Sequence, residues 1–154
     1  MQRRGFMRGI LSIFVLLIPG CFGRTRAAGL DGVDDIRFWI EEGETLDPDE
    51  EGVFASCEKN QLTIRRAIQV GSSECNEAKL QSVSFESDVL GVTVSYEDSK
   101  SMIDKFLDGG CTDDLSSDIY VAKIYFTNSL PRKLVATHEP YLNSSSKWET
   151  EIDC

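Results

Sequence analysis

Residues 118–127 read Asp118-Ile119-Tyr120-Val121-Ala122-Lys123-Ile124-Tyr125-Phe126-Thr127. In an extended chain Tyr120, Ala122, Ile124 and Phe126 fall on one side, and Ile119, Val121 and Tyr125 share the other with Lys123. A strand that is apolar on both faces is covered on both faces, which places it at the centre of a sheet. Its neighbours follow by alternation. Val83 and Phe85 alternate with polar residues, as do Val92, Val94 and Tyr96, and Ser87-Asp88 between them predicts a hairpin. Arg132 to Thr137 predicts a strand after Leu130-Pro131. Trp148, Thr150 and Ile152 alternate with Lys147, Glu149, Glu151 and Asp153, as a half-buried last strand does. Within residues 53–78 the run Gln61 to Val70 (QLTIRRAIQV) fits a strand better than a helix.

Two segments carry helical spacing instead. Val33, Ile36 and Ile40, with Trp39 beside them, make an apolar stripe that Asp31 would cap and Gly43 would end. Met102, Ile103, Phe106 and Leu107 share a second face, opened by Asp98 or Ser99 and closed by Gly109-Gly110. The predicted fold class is therefore α+β. It is a single small domain over residues 28–154, mostly antiparallel sheet of about five strands with one or two packed helices.

The chain of 154 residues has 16 basic and 26 acidic side chains, one His, 4 Pro and a net charge of −10. So few prolines exclude a disordered or collagen-like chain. The charge disfavours nucleic acid and anionic lipid surfaces as electrostatic partners, because phosphate backbones repel it.

Residues 1–20 form an export signal. Arg3, Arg4 and Arg8 precede the apolar run Ile10 to Ile18, which is too short to span a membrane and is broken by Pro19-Gly20. Gln2-Arg3-Arg4-Gly5-Phe6-Met7-Arg8 resembles the twin-arginine export motif. Ile18-Pro19-Gly20-Cys21 looks like a bacterial lipobox, and that resemblance implies a cut before Cys21 and lipidation of that residue as the first of the mature chain. The competing cut lies after Ala27, where Thr25 and Ala27 supply small side chains. We favour the lipobox. Cutting there removes three arginines and no acid, so 13 basic residues face the same 26 acids and the mature charge becomes −13.

With Cys21 set aside, Cys57, Cys75, Cys111 and Cys154 remain, an even number that reads as two disulfides in an exported chain. The expected pairs are Cys57–Cys75 and Cys111–Cys154. No CxxC pair exists and His138 is the only imidazole, so no zinc or thioredoxin-type centre is expected.

Asp47-Pro48-Asp49-Glu50-Glu51-Gly52 through Glu58 resembles an EF-hand calcium loop. That resemblance implies Asp47, Asp49, Glu51 and Glu58 as oxygen ligands. The simpler expectation is an acidic surface loop. His138, followed by Glu139 and Pro140, is expected at an exposed or edge position, and a hydrolase centred on it is the least supported alternative. Asn143-Ser144-Ser145 is a glycosylation acceptor pattern. No nucleophile elbow and no phosphate loop occurs, so no catalytic or metal residue and no cofactor is expected. The sequence reads as an exported, envelope-anchored (periplasmic or extracellular) binding or interaction module. It would engage an unidentified and preferably basic protein partner, and would touch membrane only through an acyl chain on Cys21.

Overall fold

The computed structural model describes residues 24–25, 30–41, 51–107, 109–142 and 144–153. Strands in two sheets account for most of them. Strand β1 (Arg24–Thr25), β2 (Val33–Glu41), β3 (Gly52–Ser56), β4 (Gln61–Gly71) and β7 (Ser116–Phe126) form the first, ordered β1-β2-β7-β4-β3. Strands β5 (Asn76–Glu86), β6 (Val89–Asp98), β8 (Lys133–His138) and β9 (Ser146–Glu151) form the second, ordered β5-β6-β8-β9. Among the described residues the one helix is α1 (Met102–Leu107). The α+β expectation is thus corrected: the domain is nearly all sheet.

The error lies in β2, predicted as a helix. In register, Val33 faces Phe126 and Asp35 faces Tyr125, so Asp34 is an extra residue in a β-bulge. A bulge inserts one residue and flips the phase of everything after it. Val33 therefore points inward, and Ile36, Phe38 and Ile40 resume the inward face on the other parity. The resulting spacing of three then four imitates a helical stripe, although Val, Ile, Phe and Trp all suit a strand.

Elsewhere the period-two segments form the strands expected of them. β5 and β6 make a hairpin closed by Ser87 and Asp88, whose φ angles are 52° and 64°. Two consecutive positive φ values define the type I′ turn that matches strand twist. β7 is hydrogen-bonded to β2 on one side and β4 on the other, as a central strand should be. Among the described residues the one parallel pairing joins β6 to β8.

The inner faces of both sheets enclose one core. Leu62, Ile64, Ala122 and Ile124 from the first sheet meet Leu90, Val92, Leu134 and Ala136 from the second, all fully or almost fully buried. Truncating any of the larger members to Ala should destabilise by about 2–5 kcal/mol.

The chain changes sheets at the corner between β4 and β5. Gly71 there has φ 86°, and a side chain on it would collide with the Tyr141 ring at 2.9 Å. Cys75 in this corner is bonded to Cys111, which corrects both expected pairings. Three contacts explain why these two cysteines meet. Ser116 Oγ donates to the Gly71 carbonyl at 2.8 Å, the Ser72 and Thr112 hydroxyls are 3.0 Å apart, and Ser73 N donates to Asp114. The entry to β7 is thereby laid along the corner. Cys57, in the turn between β3 and β4, is also disulfide-bonded; Cys154 lies outside the described residues.

The Cys75–Cys111 bridge closes a separation of 36 residues. In the chain-entropy treatment such a loop stabilises by about 4 kcal/mol. The double variant Cys75→Ser/Cys111→Ser should lower the urea midpoint by a corresponding amount while keeping the β-type circular dichroism spectrum. An unchanged midpoint would show that the bridge constrains nothing the other contacts do not already hold.

Candidate functional site

Two features stand out from an otherwise apolar sandwich, one inside it and one outside. The inner one is a polar cluster between the sheets. Arg66 in β4 lies opposite Tyr120 in β7, both on the inner face. Across the core, Ala136 pairs with Trp148 and His138 with Ser146 where β8 meets β9. The Tyr120 hydroxyl and His138 Nε2 share a hydrogen bond of 2.6 Å. The Arg66 guanidinium stacks on the Trp148 ring at 4.3 Å and reaches Glu51 Oε1 at 3.0 Å. Phe38 stacks on Tyr120.

The environment settles the protonation of both hydrogen-bonded partners. Burial first, and the nearby Arg66 cation second, push the His138 pKa down to about 4. Burial pushes the Tyr120 hydroxyl up, far outside the physiological range. At neutral pH the pair is an uncharged imidazole bonded to an uncharged phenol. A general base works best with a pKa near the operating pH, and this imidazole is turned inward. His138 is 7% exposed, so the expected exposed or edge position is corrected. The sequence held a signal for this: His138 shares the strand phase of Leu134 and Ala136. Arg66 likewise shares the phase of Leu62, Ile64 and Ile68, and it was missed for the same reason.

Asp47, Asp49, Asn143 and Cys21 fall outside the described residues. Glu51 is paired with Arg66, Gly52 opens β3 instead of turning a loop, and Glu58 is exposed in the β3–β4 turn. The exit helix of a calcium loop is thus replaced by strand. Among the described residues no group of three or more His, Cys, Asp or Glu is arranged to hold a metal.

The outer feature is α1 with its flanks. Ser101 caps the helix: its Oγ accepts from Asp104 N at 3.2 Å and donates to the Asp104 carboxylate at 2.6 Å. Gly110 N donates to the Lys105 carbonyl, and Gly109 and Gly110, both with positive φ, end the helix as the sequence suggested. The apolar face does not pack on the sheets as expected. Met102 is 87% exposed, Ile103 71%, Phe106 86% and Leu107 74%. Leu115, Tyr141 and Leu142 are exposed as well. Tyr141 N donates to the Gln69 carbonyl and its ring packs on Tyr96, which brings it to the same β4–β5 corner. Both ends of the α1 excursion return to one residue: Ser99 N donates to the Cys75 carbonyl at 2.7 Å, and Cys111 is bonded to Cys75 through sulfur. A recess of about 280 Å³ at the start of β4, the far end from this corner, is lined by Cys57, Asn60, Asn128, Pro131, Arg132 and Ile152, among others.

Comparison with known protein families, characterised proteins and solved structures finds no match to this chain.

The inner cluster makes a prediction about acid. The folded pKa of His138, about 4, lies below the ordinary 6.5. Between those values the unfolded chain binds a proton that the folded chain refuses, so stability falls as pH drops through that window. From about pH 7 to about pH 4.5 the loss attributable to His138 should be about 2 kcal/mol. Urea unfolding of the parent and of His138→Gln at both pH values isolates it. Equal acid losses in the two proteins would refute the assignment.

Proposed function

We propose that this protein is an exported binding module, anchored to the cell envelope through Cys21, whose contact surface is the α1 excursion. The observation that carries the reading is the exposure of Met102, Ile103, Phe106 and Leu107 on an excursion pinned at both ends to Cys75. Contiguous exposed apolar side chains rimmed by polar ones mark interaction sites in soluble proteins. The inner cluster supports it from the other side, since His138 is committed to Tyr120 and to holding the sheets together.

Export is supported by the charged head and apolar run of residues 1–20 and by the disulfides. A cut before Cys21 is favoured by β1. Arg24 and Thr25 pair with Arg37 and Ile36, so a cut after Ala27 would strip this strand and leave that stretch of β2 as a bare edge. Acyl chains on Cys21 would anchor stably, each buried methylene contributing about 0.8 kcal/mol.

Two measurements test the proposal. Mass spectrometry of the mature chain should find an acylated N-terminus at Cys21, and Cys21→Ala should remain unprocessed or leave the detergent phase. An unmodified N-terminus at Ala28 would overturn the anchor. In cells, a photo-crosslinking amino acid at Phe106 should give discrete adducts that the same group at exposed Glu86 does not. Equal yields at both sites, or none at Phe106, would overturn α1 as the contact surface.

A further inference from the structure

The chemistry around α1 points to a class of partner, an inference that rests on the binding-module reading above. Exposed carboxylates lie on the helix and on the segments that flank or anchor it in the chain. Asp104 is on the helix, Asp98 at the end of β6, Asp113 and Asp114 on the return limb, and Glu74 beside the Cys75 anchor. Thr112 first, then Ser73, hydrogen-bond the Asp114 carboxyl and hold its pKa below the usual carboxylate range. The two lysines of the excursion leave this balance acidic, and Lys105 is already bound to Asp98 at 3.0 Å.

We propose that the excursion binds a basic amphipathic segment of a protein partner. Its apolar side would cover Met102, Ile103, Phe106 and Leu107, and its Lys or Arg side chains would reach Asp104, Asp113 and Glu74. Charge selects this occupant over the alternatives. A second copy would bring two strongly acidic chains together, and an anionic membrane would repel these carboxylates. An acidic or uncharged segment could satisfy the apolar face but would leave the carboxylates unpaired. The tether adds to affinity: with both ends of the excursion fixed at Cys75, less chain is ordered when the partner arrives.

The test uses the mature chain and two labelled peptides of about 18 residues, five helical turns, one of Leu and Lys and one of Leu and Glu. Fluorescence anisotropy should show the Leu/Lys peptide bound, with affinity falling as salt rises, and the Leu/Glu peptide unbound. The double variant Ile103→Ser/Phe106→Ser should weaken binding by about tenfold or more. Its melting temperature should not change, because neither side chain is packed. Asp113→Asn/Glu74→Gln should weaken binding several-fold, whereas Glu149→Gln/Glu151→Gln on β9 should not. Reducing the Cys75–Cys111 bridge should weaken it as well. Equal binding of both peptides, or equal loss from the β9 variant, would overturn the partner class. So would a Phe106-dependent association with uncharged phosphatidylcholine vesicles or with a second copy of the chain. If crosslinks from Phe106 persist in cells while the charge preference fails, the binding-module reading stands and only the partner class falls. If both fail, so does the reading beneath it.

Discussion

The fold hangs on β7 being satisfied in every direction. Its backbone is bonded to β2 along one edge and β4 along the other, while Tyr120, Ala122, Ile124 and Phe126 fill the space between the sheets. On its outer face Val121 lies in register between Trp39 and Arg65, and Lys123 sits over the Trp39 ring. Without β7 the first sheet would separate into β1–β2 and the β3–β4 hairpin, neither able to bury its apolar face alone. The second sheet would lose the surface that covers Leu90, Leu134 and Ala136.

How far the sequence foretold this depends on what each signal measures. Alternation reports side-chain direction, so β4 to β9 were legible wherever the alternation ran unbroken. It failed at β2 because the bulge at Asp34 shifts the phase in mid-strand and turns a period of two into a false helical one. Helical spacing in α1 was read correctly as geometry but wrongly as burial. A shared face says which side chains look the same way, not whether anything stands in front of them. The disulfide pattern was illegible for a similar reason. Cysteine parity counts bridges, but the pairing of Cys75 with Cys111 follows from Ser116 and Thr112 docking on Gly71 and Ser72, a tertiary event. The polar cluster was half legible: its tyrosine stood out in the central strand, whereas His138 and Arg66 were hidden among apolar residues of their own phase.

That cluster also gives the sandwich a preferred alignment. Aliphatic side chains tolerate sliding, since Leu against Ile or Val is nearly as good as Leu against Leu. A phenol bonded to an imidazole does not, because displacement would strand two buried polar groups at about 1–3 kcal/mol each. The stacking of Arg66 on Trp148 and its ion pair with Glu51 fix the same alignment from β9 and from the chain entering β3. One polar contact between the sheets thus selects which strands face each other across a core that apolar packing alone would leave loosely specified.

The order of strands in space has a consequence for the nascent chain. β4 waits for β7 as its inner neighbour, and β6 waits for β8, the strand it meets in parallel. Neither sheet can be completed by residues that are close in sequence. Of the pieces available early, the β1–β2 pair and the β3–β4 and β5–β6 hairpins are local. Until His138 has been synthesised, the apolar faces of both halves remain open to solvent and to other chains. Such a topology folds slowly for its size, because long loops must close before the contacts that reward closure can form. Its most vulnerable moment is therefore before the last strands have been synthesised, not after it has folded.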